Sequence, residues 1–425
     1  MKIGYAQNVI TPSLDKPVYL AGFENNRRAT TVHDDLYVRS LAIHTAQTTL
    51  VLAALDLIGL FDPDLDDIMR HGQASEVSVV IASTHTHHGP DTAGLWGPDD
   101  KTRGVDLEYM SAAKKKIVDT ILASLSNPQP ASVKWTSVRV PGMAKNARNP
   151  EIVDDELTLA QFVDQKNKPL ATLFNFPCHP EVLWEHNTHI TSDYPGYLRD
   201  EVEKQTGAPC IFFSGALGGM MTPDVKDHSF EEAEFMGRKL AEQGLKASSK
   251  VNSEQSSVVS VERKVIKAKL TNILYKLAFG RKLLPDTRDK RGYITTEVNL
   301  IKIGDLWLAA VPGELLPKLG LQLKAWMKEA GAETAGVIGL ANGWFGYILP
   351  VEDFKYPWNP FKPGKHYEET NSIGRDIAPK VMGALRSIIA NPERSGWVKQ
   401  SPTTTEIASS PHRPGFGAGK NGSSQ

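Results

Sequence analysis

Short apolar runs rich in β-branched residues alternate with amphipathic stretches along most of this chain. Two such runs, Val38 to His44 and Thr49 to Asp56, predict a β-hairpin, because the segment between them is short and polar. A short helix is predicted from Asp64 to His71, and the apolar run that begins at Val79 predicts the next strand. The order strand, helix, strand is typical of a crossover connection between two parallel strands.

Helical and extended periodicities continue to about residue 390. Further strands are predicted at residues 2 to 10, Val133 to Val140, Thr158 to Val163, Leu170 to Phe176, Ile211 to Phe213, Val258 to Leu270, Glu297 to Ile303, Leu306 to Val311 and Val337 to Leu340. Further helices are predicted at Leu107 to Leu125, Tyr197 to Gln205, Ser229 to Ala247, Leu315 to Ala330 and Ile373 to Ile389. The basic segment Lys276 to Arg291 has no long apolar face, so we predict an exposed excursion there.

The composition changes near the end of the chain. From about Ser395 onward Ser, Thr, Gly and Pro dominate, so we predict one folded domain over residues 1–394 and a disordered tail over residues 395–425. Before the tail, a long loop from Leu349 to Tyr367 is rich in Pro and aromatic residues, and loops of this length are usually functional. Its aromatic part, Tyr356 to Phe361, is a candidate cover for an acyl chain or for the core.

Charge and cysteine content narrow the choice of partners. The 48 Lys and Arg residues nearly balance the 49 Asp and Glu residues, so the net charge of -1 gives no field that attracts nucleic acid or an anionic membrane. Cys178 and Cys210 are too few for a disulfide framework or a multi-thiolate metal site, although one bridge stays open. Without a leader-like segment or an apolar run of the roughly 20 residues that a transmembrane helix needs, we expect a cytoplasmic protein, with a mature exported form as the alternative.

The apolar run that begins at Val79 ends in a loop with three histidines, Ser83-Thr84-His85-Thr86-His87-His88-Gly89-Pro90. In α/β proteins ligands collect at the carboxyl ends of strands. Alternation along an extended chain points His85 and His87 to the same side, so both can serve one site. The alternative is a polar turn in which the histidines make local hydrogen bonds.

Three other predicted strands lead to side chains that could join the histidines in one site. His179 follows the strand that ends at Phe176, Glu314 follows the strand that ends at Val311, and Tyr347 comes after a further strand. Two histidines and a carboxylate with one open position are a familiar zinc site in hydrolases. These residues are far apart in sequence, so spacing alone leaves separate structural roles open.

Seven segments, in the same order, resemble the neutral/alkaline, non-lysosomal ceramidase family of zinc amidohydrolases. The histidine loop is similar to the Thr-His-Thr-His-Ser-Gly-Pro signature of that family. The other six segments are Ile3 to Pro12 with Ala21-Gly22-Phe23, Asp34 to Leu41, Asn146-Ala147-Arg148-Asn149-Pro150, Ile190 to Tyr197, Pro312-Gly313-Glu314, and Asn342 to Tyr347. The resemblance covers about residues 3 to 390 and implies an α/β layered sandwich, with mixed β-sheets flanked by helices and the site at the carboxyl ends of strands.

The resemblance also implies a zinc site. His85, His179 and Glu314 would bind the zinc ion, and Tyr347 would be a closer or more distant oxygen ligand. Trp344 stands where the family often has another tyrosine, which favours Tyr347 for that role.

Four further residues are placed near the zinc by the same resemblance. His87 would be a non-ligand histidine that faces the scissile group, and Arg148 would also point into the site. Asp193 would be the carboxylate partner that fixes a ligand histidine. Thr222 keeps the hydroxyl of the family's catalytic serine, but Gly219-Met220-Met221-Thr222-Pro223 replaces Gly-Asp-Val-Ser-Pro and so lacks its acid. From the length of the chain, we expect it to lack the C-terminal immunoglobulin-like domain of the full ceramidases.

These residues lead to the hypothesis of a zinc-dependent amidohydrolase that cleaves a small amphipathic acyl amide of the ceramide type. Zinc would lower the pKa of its bound water toward about 7 and polarise the carbonyl. His87 would transfer a proton to the leaving amine, Arg148 and Thr222 would donate hydrogen bonds to the oxyanion, and Tyr347 would complete the catalytic set. Attack by Thr222 itself is an alternative. Two other functions stay open: a zinc hydrolase of the same fold that acts on a different amide or ester, and a non-catalytic binding protein.

Overall fold

Nineteen strands and eight α-helices alternate along residues 1–72, 76–252, 258–354 and 366–390, the part of the chain that this computed structural model describes. The strands are β1 (Lys2–Val9), β2 (Thr31–Val32), β3 (Tyr37–His44), β4 (Thr49–Leu55), β5 (Val77–Ser83), β6 (Gln129–Pro130), β7 (Ser132–Arg139), β8 (Ala144–Asn146), β9 (Glu156–Val163), β10 (Pro169–Phe176), β11 (His189–Ile190), β12 (Cys210–Ser214), β13 (Met221–Pro223), β14 (Val259–Lys269), β15 (Tyr293–Ile303), β16 (Leu306–Ala310), β17 (Glu314–Leu315), β18 (Thr334–Ile338) and β19 (Tyr347–Ile348). The helices are α1 (Asp62–Gly72), α2 (Leu107–Ser124), α3 (Tyr194–Thr206), α4 (Phe230–Ser248), α5 (Ile273–Gly280), α6 (Pro317–Glu329), α7 (Tyr367–Thr370) and α8 (Ile377–Ile389).

Three mixed sheets hold most of the strands. Their strand orders are β5-β4-β3-β1-β6, β12-β10-β9-β7 and β14-β15-β16-β18. Each sheet contains one parallel pair, which is β4 with β5, β10 with β12, or β16 with β18, and its other neighbours are antiparallel. The parallel pairing of β4 and β5 through α1 confirms the crossover that the sequence predicted.

Apolar faces of the three sheets pack against one another in a shared core. One buried cluster contains Leu52 of β4, Phe162 of β9, Leu173 of β10 and Ile301 of β15. Helices α1 and α2 cover the five-stranded sheet in a second cluster, while α3, α4, α6 and α8 belong to a third cluster with the other two sheets. The architecture is therefore the predicted α/β layered sandwich of mixed sheets with flanking helices.

The prediction for Lys276 to Arg291 was wrong in part. Helix α5 overlaps the beginning of this segment, and the side chains of Phe279 and Leu284 are buried in the core cluster of the flanking helices. Two well-separated apolar residues suffice to anchor a basic segment, although they do not produce an apolar stripe that the sequence pattern would reveal.

Helix α3 begins at Tyr194, before the predicted start at Tyr197. The Asp193 carboxylate accepts a hydrogen bond of 2.7 Å from the Tyr194 backbone N–H, and a proline stands in the first turn. Both features are typical of helix starts, because the first N–H groups have no partner within the helix.

The compact unit that contains the described residues extends from Met1 to Pro392. The predicted tail at 395–425 and the aromatic segment Tyr356 to Phe361 lie outside the described residues. Cys178 and Cys210 are buried free thiols. Among the helices of the described ranges, none has the length and apolar character that a bilayer span requires.

Candidate metal centre

The loop after β5 holds its first histidine in an unusual backbone conformation. His85 has φ of +70°, in the left-handed region that residues with a Cβ rarely adopt. Its backbone N–H donates to Leu57 O at 3.0 Å, and the preceding Thr84 N–H donates to Leu55 O at 2.8 Å. The neighbouring end of β4 therefore holds the loop in this conformation, as expected where strain is maintained at a functional position.

Three buried imidazole rings meet at this loop. The ring centroids of His85 and His87 are 5.0 Å apart, those of His85 and His179 are 5.1 Å apart, and those of His87 and His179 are 5.5 Å apart. One nitrogen from each of the three rings lies within 4.8 Å of the others. The structure thus brings His179, at the end of β10, beside the histidine loop at the end of β5.

Backbone carbonyls fix two of these rings. His85 Nδ1 lies 2.5 Å from Ile58 O, and His179 Nδ1 lies 2.9 Å from Met221 O. A carbonyl oxygen only accepts, so each Nδ1 carries the proton and each Nε2 keeps its lone pair for a ligand. The partners of these two histidines are carbonyls and not Asp193, so the sequence prediction for Asp193 was wrong.

The Glu314 carboxylate lies opposite these two Nε2 atoms. Its Oε2 is 3.6 Å from His85 Nε2 and 3.4 Å from His179 Nε2, while its Oε1 accepts a hydrogen bond of 3.1 Å from Trp344 Nε1. Two ligand atoms of a tetrahedral zinc site, each about 2.1 Å from the metal, are separated by about 3.4 Å. The donor set and its spacing therefore fit a zinc ion.

The ionisation of the Glu314 carboxyl agrees with a metal site. Burial alone would raise the pKa of the Glu314 carboxyl, but His85 and His179 outweigh burial and hold this pKa well below its usual range. The carboxylate is consequently ionised at neutral pH, which is the form that binds a metal. Trp344 was noticed in the sequence only as a replacement for tyrosine, whereas the structure shows that its indole holds one oxygen of Glu314.

Backbone pairing of two short strands brings Tyr347 next to Glu314. The two residues are paired in the short parallel ladder of β17 and β19. The Tyr347 hydroxyl lies 3.4 Å from Met220 Sδ. Burial, with Glu314 and Tyr367 nearby, raises the pKa of the Tyr347 hydroxyl well above its usual range, so it is a protonated donor. Its role as a metal ligand stays a prediction.

Glu181 is a site residue that the sequence analysis missed. It follows His179 by two positions, is fully buried, and places Oε2 at 3.1 Å from His87 Nδ1. Burial raises the pKa of the Glu181 carboxyl, and His179 and the Thr222 side chain oppose this increase. The signal in the sequence was a single acid two positions after His179 and directly before the apolar pair Val182-Leu183. Thr222 on β13 therefore lies next to the Glu181 carboxyl, although the segment Gly219 to Pro223 that contains Thr222 has no acid.

Arg148 lies in a neighbouring pocket. Its guanidinium contacts Glu368 at 2.6 Å and Glu369 at 2.9 Å, and its Nε is 3.8 Å from Asp353. The pocket has a volume of about 280 Å³ and is also lined by Gly219 of the loop that leads to Thr222. The contacts of Arg148 are therefore with carboxylates, and its predicted hydrogen bond to an oxyanion stays a prediction.

His88 turns away from the other histidines and pairs with Asp193. Its Nε2 is 3.5 Å from Asp193 Oδ2, and its Nδ1 is 3.1 Å from Asn187 Nδ2. Burial raises the pKa of the Asp193 carboxyl to about 7. The side chain of His88 is fully buried.

Fold and site together define an α/β protein with a buried candidate metal centre at the carboxyl ends of its strands. No family model and no curated protein matches the sequence. Solved structures do match: neutral ceramidase from Pseudomonas aeruginosa superposes with a TM-score of 0.74 and 18% identity, over 92% of this chain and 73% of that chain. A structure described as ceramidase complexed with C2 gives a TM-score of 0.73 and 16% identity, over 92% of this chain and 74% of that chain. The chain has the neutral ceramidase fold, which confirms at the level of fold the resemblance seen in seven segments.

Proposed function

We propose that this protein is a zinc-dependent hydrolase that cleaves the amide bond of an N-acyl lipid of the ceramide type, releasing a sphingoid base and a fatty acid. The observation that carries the proposal is the position of Glu314 Oε2, at 3.4 and 3.6 Å from the Nε2 atoms of two histidines whose Nδ1 atoms are engaged. The neutral ceramidase fold of the two structural neighbours supports the choice of substrate.

The residues that would hold zinc are His85, His179 and Glu314, with Tyr347 as the predicted oxygen ligand. A zinc ion in such a site supplies a nucleophile at neutral pH and polarises the substrate carbonyl. The ligand side chains are themselves held by hydrogen bonds. Ile58 O and Met221 O orient the two imidazoles, and the Trp344 indole orients the Glu314 carboxylate.

Thr222 would act on the substrate through its hydroxyl. This hydroxyl neighbours the Glu181 carboxyl, and a donor aimed at a developing oxyanion contributes strongly in a buried site. The pocket lined by Arg148 and Glu369 would receive a polar part of the substrate.

A different acyl amide or an ester is the second candidate substrate, and one observation favours it. Met220 occupies the acidic position of the family motif, and its Sδ packs against the Tyr347 hydroxyl at 3.4 Å. A thioether cannot accept a strong hydrogen bond or carry charge, so this side of the site differs chemically from one that contains a carboxylate.

The test begins with metal content, measured by mass spectrometry on the purified full chain and on His179→Ala. His186→Ala is the matched control, because the His186 side chain is 89% exposed. We expect near-stoichiometric zinc in the unaltered chain and the control, and loss of zinc in His179→Ala. Absence of bound metal after zinc is supplied would refute the metal site.

The same three proteins are then assayed on N-acylsphingosine, on simple fatty acyl amides and on acyl esters. Zinc-dependent release of fatty acid from N-acylsphingosine, lost in His179→Ala, is the expected result. Hydrolysis of the simple amides or esters alone would select the second candidate. Zinc binding without hydrolysis of any of them would refute an enzymatic function.

A further inference from the structure

Helix α5 lies in the basic segment that the sequence predicted as an exposed excursion, and its solvent-facing side is apolar. The side chains of Ile273 and Leu277 are 56% and 42% exposed. They are four positions apart, so they are neighbours on one face of the helix. Another face is anchored in the protein by the buried side chain of Phe279. Adjacent exposed apolar side chains on a helix are typical of a surface that contacts a partner or a membrane.

Three cationic side chains accompany this apolar face. Lys276 lies on the helix, Arg281 and Lys282 directly follow it, and all three residues are exposed. Within the described ranges none of them pairs with a carboxylate, whereas Arg288 pairs with Asp286. The whole chain has a net charge of -1, so an attraction of anions to this surface comes from these local charges.

A loop that carries another exposed leucine packs against the same segment. A Cβ added to Gly94 would lie 2.7 Å from Leu283 O, and the side chain of Leu95 is 38% exposed. The ring of Trp96 stacks on that of Trp344 with centroids 6.2 Å apart, and the Trp344 indole donates to the carboxylate of the candidate metal centre. This loop therefore extends from the metal centre to the surface beside the end of α5.

Helix α5 is connected to the metal centre as well. Asn371 O accepts a hydrogen bond of 3.3 Å from the Tyr275 hydroxyl and one of 3.0 Å from the Tyr347 N–H. Tyr347 is in turn the register partner of Glu314. The exposed face of α5 is one helix diameter, about 10 Å, from these contacts. A ligand bound at this face would therefore lie close to the centre.

We propose that α5 and the two basic residues after it form a docking surface for an anionic lipid bilayer. Ile273 and Leu277 enter the interface between headgroups and acyl chains, while Lys276, Arg281 and Lys282 contact lipid phosphates. A second copy of the same cationic surface is a poorer occupant, because like charges would meet. Docking would present an acyl lipid to the metal centre directly from the bilayer. That last step rests on the proposed function, whereas the binding of bilayers does not.

Cosedimentation of the full chain with vesicles tests the docking. One set of vesicles contains phosphatidylcholine with phosphatidylserine, and the other contains phosphatidylcholine alone. We expect binding to the anionic set, weakened by added salt because ions screen the attraction. Joint replacement Lys276→Ala and Lys282→Ala should lower the affinity about 25-fold, since each cationic residue near an anionic surface contributes a factor of about five. Joint replacement Ile273→Ser and Leu277→Ser should lower it at least about tenfold, because it removes the apolar anchor.

Two control variants remove the same kinds of side chain from other helices. Joint replacement Lys246→Ala and Lys250→Ala takes away two exposed lysines, on α4 and just after it. Joint replacement Leu107→Ser and Leu122→Ser takes away two exposed leucines of α2. Both controls should bind vesicles as the unaltered chain does. A circular dichroism melt of each variant checks that the fold is retained.

Absence of vesicle binding, or equal losses in the α5 variants and their controls, would overturn the inference. So would a dimer in solution that is lost on replacement of Ile273 and Leu277, because a second copy would then cover the surface. His179→Ala should bind vesicles as the unaltered chain does, since docking needs no metal. If vesicles are bound and N-acylsphingosine is not hydrolysed, the inference stands while the proposed activity fails. Hydrolysis of N-acylsphingosine in detergent micelles without vesicle binding gives the reverse.

Discussion

Arg199 and Asp56 form a buried, bidentate ion pair that joins helix α3 to the end of strand β4. The two hydrogen bonds are 2.8 and 2.9 Å long, and the side chains are 2% and 1% exposed. The same carboxylate accepts a hydrogen bond of 3.2 Å from the Thr84 hydroxyl and one of 2.9 Å from the Tyr37 N–H. Asp56 therefore supports the start of the histidine loop from within the protein interior.

Replacing Arg199 by Met should destabilise the protein by about 3–5 kcal/mol, because it leaves the Asp56 carboxylate buried without its cation. Urea unfolding at pH 7 measures the change. Lys115→Met is the control, since Lys115 pairs with Asp119 on the surface, where water screens the interaction. An Arg199→Met loss no larger than that of the control would contradict the role of the ion pair.

Substituting Gly22 by Ala should lower kcat, because it displaces His87, and should lower stability by about 1–3 kcal/mol. Gly22 has φ of +107°, and a Cβ there would lie 2.5 Å from His87 Cγ and Nδ1. The added methyl group must displace the His87 ring. Steady-state kinetics and thermal unfolding measure the two effects.

Gly142→Ala is the matched control for this variant. Gly142 also has a positive φ, of +78°, but a Cβ added there meets nothing within 4 Å. It shares the backbone strain of Gly22→Ala without the contact to His87. Equal losses of kcat in the two variants would mean that backbone strain, and not the displaced His87 ring, is responsible.

Replacing Thr222 by Val should reduce kcat by about 100-fold and leave zinc content unchanged, because it removes one donor to the developing oxyanion while keeping the shape of the side chain. Steady-state kinetics on the substrate found in the screen, together with metal analysis, test this. A loss of about 10⁶-fold, the scale seen when a nucleophile is removed, would instead support attack by Thr222 itself.

Asp62 should make the protein less stable as the pH rises. Burial, followed by Asp66 and Glu297, raises the pKa of the Asp62 carboxyl to about 7. The unfolded chain loses this proton near pH 4, so between the two values the folded protein binds more protons. The contribution of Asp62 to stability is therefore complete below about pH 4 and is lost as the pH rises through about 7.

The Asp62→Asn variant tests the direction in which stability changes with pH. Relative to the unaltered chain, it should gain about 2 kcal/mol of unfolding free energy between pH 5 and pH 8, a value reduced from the full effect because Asp62 is partly exposed. Urea unfolding at both pH values gives the difference. Asp119→Asn, at a site 51% exposed, should show no such gain. A parallel pH response in all three proteins would refute the effect.

Sequence patterns predicted the large sheets because long apolar runs such as Thr49 to Asp56 have only one stable environment, a buried strand. They did not predict the short ladders, such as β13 with β8, which place Thr222 beside the site. Strands of two or three residues carry no periodicity of their own, and only the folded chain supplies their partners.

The candidate site could be predicted from the sequence where its metal-binding side chains follow the ends of apolar strands. His85, His179 and Glu314 were found in this way, and the structure brings all three together. Glu181 was not found, because it contacts His87, which is distant in sequence. The contacts of Arg148 with Glu368 and Glu369 were also beyond sequence patterns, since these residues meet only across the fold. Cytoplasmic location stays a prediction.

The short parallel ladder of β17 and β19 fixes the spacing of two residues at the candidate metal centre. Glu314 and Tyr347 are register partners, so main-chain hydrogen bonding sets their separation at the usual interstrand spacing of about 4.8 Å. Insertions in the short turn between α6 and β18 would leave this pairing in place. A slip of one residue in either strand, in contrast, turns a side chain to the opposite face. That turn is therefore free to vary in length, while the spacing of Glu314 and Tyr347 is kept by the ladder.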